Sequence, residues 1–163
     1  MTGRKMKAGK LYKILFFNER PGKVGGALVQ FQSGCGEINA LPFQIGKVLI
    51  MYNICRGDVR GKHAHYETEE IFTVLQGSCT VVLDDGKGCV EEVKLSAETS
   101  DGMKSTLLLY PHVWRTVKDF EPDTRLLAVA NRPHDETDYI RDYDAFLLRA
   151  RGWSNLGGSH AAT

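Results

Sequence analysis

Residues 57–77 read Gly57-Asp58-Val59-Arg60-Gly61-Lys62-His63-Ala64-His65-Tyr66-Glu67-Thr68-Glu69-Glu70-Ile71-Phe72-Thr73-Val74-Leu75-Gln76-Gly77. Residues two apart on an extended strand share a face, so His63 and His65 point the same way. The run 71–75 is rich in β-branched and aromatic side chains and predicts the next strand, which brings Glu70 to the same wall. Two imidazoles and a carboxylate facing one cavity leave two chemistries open. They can form a two-histidine, one-carboxylate metal site with open positions. They can also move protons without metal, since an unperturbed imidazole titrates at about 6.5. Satisfied structural histidines are the third reading, although paired inward imidazoles are costly to bury without a use.

Working outward, short strands separated by turn signals fill most of the chain. Residues 11–17 predict a strand closed by Asn18-Glu19-Arg20-Pro21-Gly22, and 24–32 a second one ended by Ser33-Gly34-Cys35-Gly36. Residues 43–54 contain Val48-Leu49-Ile50-Met51-Tyr52, an unbroken β-prone run that predicts a core strand buried on both faces. Residues 79–83 and 90–95 form the arms of a hairpin around Asp84-Asp85-Gly86, and 105–110, 113–117 and 125–130 are further strands. Roughly nine or ten short strands at regular spacing predict a sandwich or barrel rather than a βαβ sheet. Near the end the period changes: Tyr139, Ile140, Tyr143, Phe146, Leu147 and Ala150 recur at three- and four-residue steps, which predicts a helix capped by Asp135.

The 163 residues fit one domain, expected over 11–150 between a basic tail, 1–10, and a flexible tail, 151–163. Apolar residues at 42% and charged ones at 25% exclude disordered and fibrous classes. Arg4, Lys5, Lys7 and Lys10 make a basic start, but a net charge of +1 lacks the basic stripe of a nucleic-acid binder. No apolar run reaches the roughly 18 to 20 residues that cross a bilayer, and residues 14–17 are too short for a signal peptide, so neither nucleic acid nor membrane is expected as a partner. A cytoplasmic location is the default. Cys35, Cys55, Cys79 and Cys89 show no C-x-x-C spacing and read as reduced, with a Cys79–Cys89 cross-strand disulfide as the alternative.

The spacing Gly57, five residues, His63, one residue, His65, four residues, Glu70, six residues, Gly77 resembles the first cupin motif at every defined position. The second motif, Pro-x-Gly-x-x-His, is broken here: the segment reads Pro111-His112-Val113-Trp114-Arg115-Thr116, with Thr116 at the ligand position and His112 out of register. A four-ligand metal site is therefore excluded, while a three-ligand one survives.

A narrower resemblance follows. Residues 60–65, Gly77-Ser78, Leu83-Asp84-Asp85-Gly86, Trp114 and Asp138-Tyr139-Ile140-Arg141-Asp142-Tyr143-Asp144-Ala145-Phe146 look like the sugar 3,4-ketoisomerase family of cupins, over about residues 11 to 148. The resemblance implies an all-β cupin, a double-stranded β-helix or jelly-roll barrel, here with a C-terminal helix. It implies a nucleotide-sugar isomerase that shifts the keto group of dTDP-4-keto-6-deoxyglucose from C4 to C3 through an enediolate, with no cofactor, in a homodimer that exchanges N-terminal strands. His63 and His65 are then the catalytic pair, and Arg60, Lys47, Tyr52, Glu70 and Trp114 the substrate-binding set. Arg60 suits the diphosphate or a developing oxyanion, and Trp114 offers a flat wall to thymine or sugar. This chain departs from the family pattern at Leu49 and Ile50, where tyrosines are usual, at Gly25-Gly26, where Arg-Gly is usual, at Glu70, where Gln is frequent, and at Lys47, where Arg is common. The alternatives are a 4-keto-sugar epimerase, a metal-dependent cupin using His63, His65 and Glu70, and a nucleotide-sugar binding module without catalysis.

Overall fold

The computed structural model describes residues 9–34, 40–98 and 102–153. Most of the expected basic tail, the expected C-terminal tail from residue 154, and the Cys35-Gly36 part of the expected break lie outside them.

The strands are β1 (Tyr12–Pro21), β2 (Ala27–Val29), β3 (Gln32–Ser33), β4 (Ala40–Leu41), β5 (Lys47–Met51), β6 (Arg60–His65), β7 (Glu70–Gln76), β8 (Ser78–Asp84), β9 (Val90–Ser96), β10 (Met103–Leu109), β11 (Trp114–Lys118), β12 (Arg125–Ala130) and β13 (Tyr139–Ile140). A 3-10 turn, Glu136–Asp138, precedes β13, and one helix, α1 (Tyr143–Ala150), follows it. A six-stranded sheet in the order β2-β1-β10-β7-β12-β5 faces a five-stranded one in the order β13-β6-β11-β8-β9, and every pairing within them is antiparallel. This is the jelly-roll cupin expected from the sequence.

Alternation along each strand decides what fills the barrel. Phe72, Val74, Val81, Leu83, Leu107, Leu109, Val117 and Leu126 meet between the sheets and close one part of it. Phe17, Leu41, Ile71, Leu108 and Val129 pack on the outer face of the larger sheet. Outside the smaller sheet, Ala64, Trp114 and Ile140 are covered by Phe146 of α1. Lumen positions on β12 carry small side chains, Ala128 and Ala130, opposite Phe72 and Glu70 of β7.

Three expectations are corrected and one alternative, the Cys79–Cys89 disulfide, is ruled out. β5 is an edge strand: it pairs with β12 only, and Val48 and Ile50, turned outward, are 54% and 55% exposed. A continuous apolar run does not distinguish a doubly buried strand from an edge strand whose cover lies elsewhere. β1 continues through Asn18-Glu19-Arg20 to Pro21, which pairs at a sheet edge with Ala27, and the reversal falls at Gly22–Gly26. The helix starts at Tyr143, not Tyr139, and its cap is Asp142, whose side chain accepts from the Ala145 N–H; Asp135 caps the 3-10 turn instead. Cys79 lies opposite Leu95, at the far end of the hairpin from Cys89, so the register forbids a disulfide, and burial pushes the Cys79 thiol up to about 12.

Candidate active site

His63 and His65 lie opposite Arg115 of β11 and Tyr139 of β13, and directly paired residues share a face. All four side chains therefore look into the barrel. Arg60, three residues before His63, would by parity face away. A bulge restores it: Gly61 pairs with Thr116 and Arg60 with Val117, while Lys62 is the extra residue. Gly61 has φ of 79°, and a Cβ there would stand 2.8 Å from the Arg115 carbonyl oxygen, so the bulge needs glycine. Arg60 reaches the rim, half-exposed and paired with Asp58 at 2.6 Å.

His65 is fully buried, and its Nδ1 lies 2.9 Å from Oδ2 of Asp138. Asp138 also accepts from the Thr68 hydroxyl and, at 2.8 Å, from the Glu67 N–H. Burial alone would raise the Asp138 carboxyl, but the Thr68 and Glu67 hydrogen bonds outweigh it and hold the group below its ordinary range. An ionised carboxylate only accepts, so Nδ1 of His65 carries the proton and Nε2 the lone pair. That Nε2 has no hydrogen-bond partner; Glu70 Oε1 is 3.7 Å away. His63, half-buried, sets its ring edge-on to His65 at 4.9 Å and donates from Nδ1 to the Gly61 carbonyl at 3.1 Å, which leaves its Nε2 free as well.

Arg115 is fully buried beneath the pair. It donates to Glu70 Oε2 at 3.1 Å and to the carbonyls of Tyr110 and Val113 at 2.9 and 3.1 Å. Burial, then the Arg115 charge, lowers His63 to about 4 and His65 to about 3 from 6.5. Both imidazoles are therefore neutral at pH 7, each with a ring lone pair in place of a second N–H. Possible ligand atoms of His63, His65 and Glu70 lie within 4.8 Å of one another. A divalent cation among them would sit beside a buried guanidinium that already occupies Glu70, so the residues fit a metal poorly on charge.

Lys47 enters from the opposite sheet. Its position, Ala130 and Glu70 form one row across β5, β12 and β7, and its Nζ donates to the Tyr139 hydroxyl at 3.1 Å. The expected residues His63, His65, Glu70 and Lys47 thus converge, with Arg60 at the rim. Trp114 does not join them. It and Thr116 face outward, where Trp114 packs on Phe146 and Tyr143, because β11 turns only Arg115 and Val117 inward. Tyr52 stands 63% exposed past the end of β5, and His112 stacks on Trp153 at 4.1 Å. Asp138, Thr68, Arg115 and Tyr139 complete the site without having been picked out as site residues from the sequence. Asp138 and Tyr139 were visible as a motif, but the helical period hid their roles.

A jelly-roll barrel with two inward imidazoles, one backed by a buried carboxylate, defines a cupin suited to proton transfer. The chain belongs to the sugar 3,4-ketoisomerase family of cupins: the family model FdtA, described as WxcM-like, C-terminal, matches residues 13–151. It is 36% identical, over 121 residues that cover 74% of this chain and 80% of the relative, to a TDP-4-oxo-6-deoxy-alpha-D-glucose-3,4-oxoisomerase of Aneurinibacillus thermoaerophilus. Among solved structures it is similar to a 3,4-ketoisomerase from Helicobacter canadensis, with a TM-score of 0.73 and 30% identity over 86% of this chain and 97% of that one. A histidine-to-asparagine variant of the 3,4-ketoisomerase QdtA from Thermoanaerobacterium thermosaccharolyticum, in complex with TDP-4-keto-6-deoxyglucose, gives 0.72 and 27% over 85% and 94%.

Proposed function

We propose that this protein shifts the keto group of dTDP-4-keto-6-deoxyglucose from C4 to C3 by metal-free proton transfer, with His65 as the base. The observation that carries this is the His65–Asp138 pair, in which a carboxylate fixes Nδ1–H and leaves a buried, unpartnered Nε2. A proton next to a ketone is acidic enough for such a base, and Asp138 stabilises the imidazolium that forms. His63, the more exposed imidazole, orients the reacting carbons, and Arg60 at the rim meets the diphosphate. The relative named for 3,4-oxoisomerisation of this sugar and the ketoisomerase structure that holds it support the substrate.

The test is incubation with dTDP-4-keto-6-deoxyglucose in deuterated water, followed by NMR. A 3-keto product with deuterium at C4 is expected. Inversion at a carbon with the ketone still at C4 would mean epimerisation, and an unchanged sugar would overturn the reading.

The working unit is read as a homodimer that exchanges N-terminal strands. Outward-facing Val48 and Ile50 on β5 and Leu28 on β2, all more than half exposed, support a covered surface at the sheet edges. A cytoplasmic location fits the free Cys55, Cys79 and Cys89. No helix among the described residues is long and apolar enough to cross a membrane.

A further inference from the structure

We propose that Leu49 is a specificity-determining residue, the apolar wall that receives the C6 methyl of the keto sugar. The inference rests on the ketoisomerase reading and names what selects a 6-deoxy sugar. Leu49 lies opposite Ala128 of β12, which lies opposite Phe72 of β7, so its side chain faces the lumen while Ile50 faces out. Of the two positions where the family pattern has tyrosine, the register turns Leu49 alone toward the site.

On β5, Leu49 is the lumen-facing side chain left open. Ala128 and Phe72 behind it are buried, whereas Leu49 is 40% exposed. Its neighbours on the same face of β5 are committed elsewhere: Lys47 donates to the Tyr139 hydroxyl, and Met51 packs on the core that holds Val74 and Leu126. β5 ends the larger sheet, and β13 covers the facing edge of β6 only at Ala64 and His65. From His63 back to Arg60 that edge pairs with no strand among the described residues. The lumen therefore opens between the two strands, with Leu49 on one lip and His63 and Arg60 on the other.

On a pyranose ring the C2–C3 edge and the C5–O5 edge lie on opposite sides of the line from C1 to C4. A sugar with C3 turned to His65 on β6, and its C1 diphosphate led out past Arg60, therefore turns C5 and its methyl toward β5. A methyl seated on Leu49 takes apolar surface of both partners out of water. A C6 hydroxyl there would meet a side chain with neither donor nor acceptor, and a sugar without C6 would leave the wall bare. The contact is the same before and during proton transfer, so it tightens binding without speeding the chemical step.

The experiment measures kcat and KM of full-length wild type, Leu49→Ala and Leu49→Asn on dTDP-4-keto-6-deoxyglucose and on the matching dTDP-linked 4-keto pentose, which lacks C6. Wild type is expected to favour the methyl sugar by about 10- to 200-fold in kcat/KM. Both variants are expected to bring the two sugars within a few fold, through a higher KM for the methyl sugar, with its kcat nearly kept and the pentose almost unaffected. Leu49→Asn nearly keeps the bulk of the side chain and removes its apolar character, so it separates apolar contact from mere filling of space. A wild type indifferent to the methyl, a variant that loses activity equally on both sugars, or one that keeps the wild-type preference would each overturn the assignment. Wild type that isomerises neither sugar would instead overturn the ketoisomerase reading and this assignment with it.

Discussion

Nδ1 of His65 is committed to Asp138, so the basicity of Nε2 depends on a carboxylate held at the opposite ring nitrogen. Asp138→Asn keeps the shape but can turn an N–H toward Nδ1, which favours the tautomer with its proton on Nε2. It is expected to lower kcat by about 10² or more with little change in KM, because only the proton-transfer step is affected. Steady-state kinetics on the keto sugar check this, and a rise in KM at constant kcat would point to a binding role. The lowered imidazoles also set the pH profile. With His63 near 4 and His65 near 3, the lone pairs survive well below pH 6.5, so activity holds as pH falls and is lost only as the folded-state values are approached. The acid limb of kcat/KM is expected near or below about 4, and a limb near 6.5 would show that Arg115 and burial do not act on the free enzyme as the geometry implies.

Among the elements, β6 with its bulge is the piece the site cannot spare. Without the extra residue Lys62, Arg60 and His63 would face opposite sides of the sheet. Gly61→Ala places a Cβ 2.8 Å from a backbone oxygen in a left-handed conformation and is expected to cost about 1–3 kcal/mol. Differential scanning calorimetry reads that cost, and a parallel fall in substrate affinity would mark the displaced Arg60. Parity made His63 and His65 legible in the sequence, because a period of two needs no knowledge of partners. The bulge was not, since it depends on the register against β11. Tyr139 was misplaced for a related reason: its spacing to Tyr143 and Phe146 is helical, yet pairing with His65 outweighs the local period and makes a two-residue strand of Tyr139 and Ile140. Arg115 was hidden because the motif directed attention to Thr116, its outward-facing neighbour.

For the whole molecule, the strand count and turn chemistry led to the correct barrel, but burial of β5 could not be read from one chain. The strand has the composition of a core element and the exposure of an edge, a mismatch that the proposed second subunit would resolve. The solution mass is expected to be twice the 18.2 kDa of the chain, and Ile50→Lys is expected to shift it toward one chain in sedimentation analysis. A wild type that sediments as a single chain would contradict the dimer.

The whole arrangement, an imidazole base over a buried guanidinium, predicts chemistry without a cation. Its most direct test is the rate of C3 proton loss from dTDP-4-keto-6-deoxyglucose, measured for chelator-treated wild type and for His65→Asn. Undiminished exchange by the treated wild type, together with a loss of about 10²-fold or more in His65→Asn, is the predicted result. Exchange that chelation abolishes and a divalent metal restores, or that survives in His65→Asn, would contradict it.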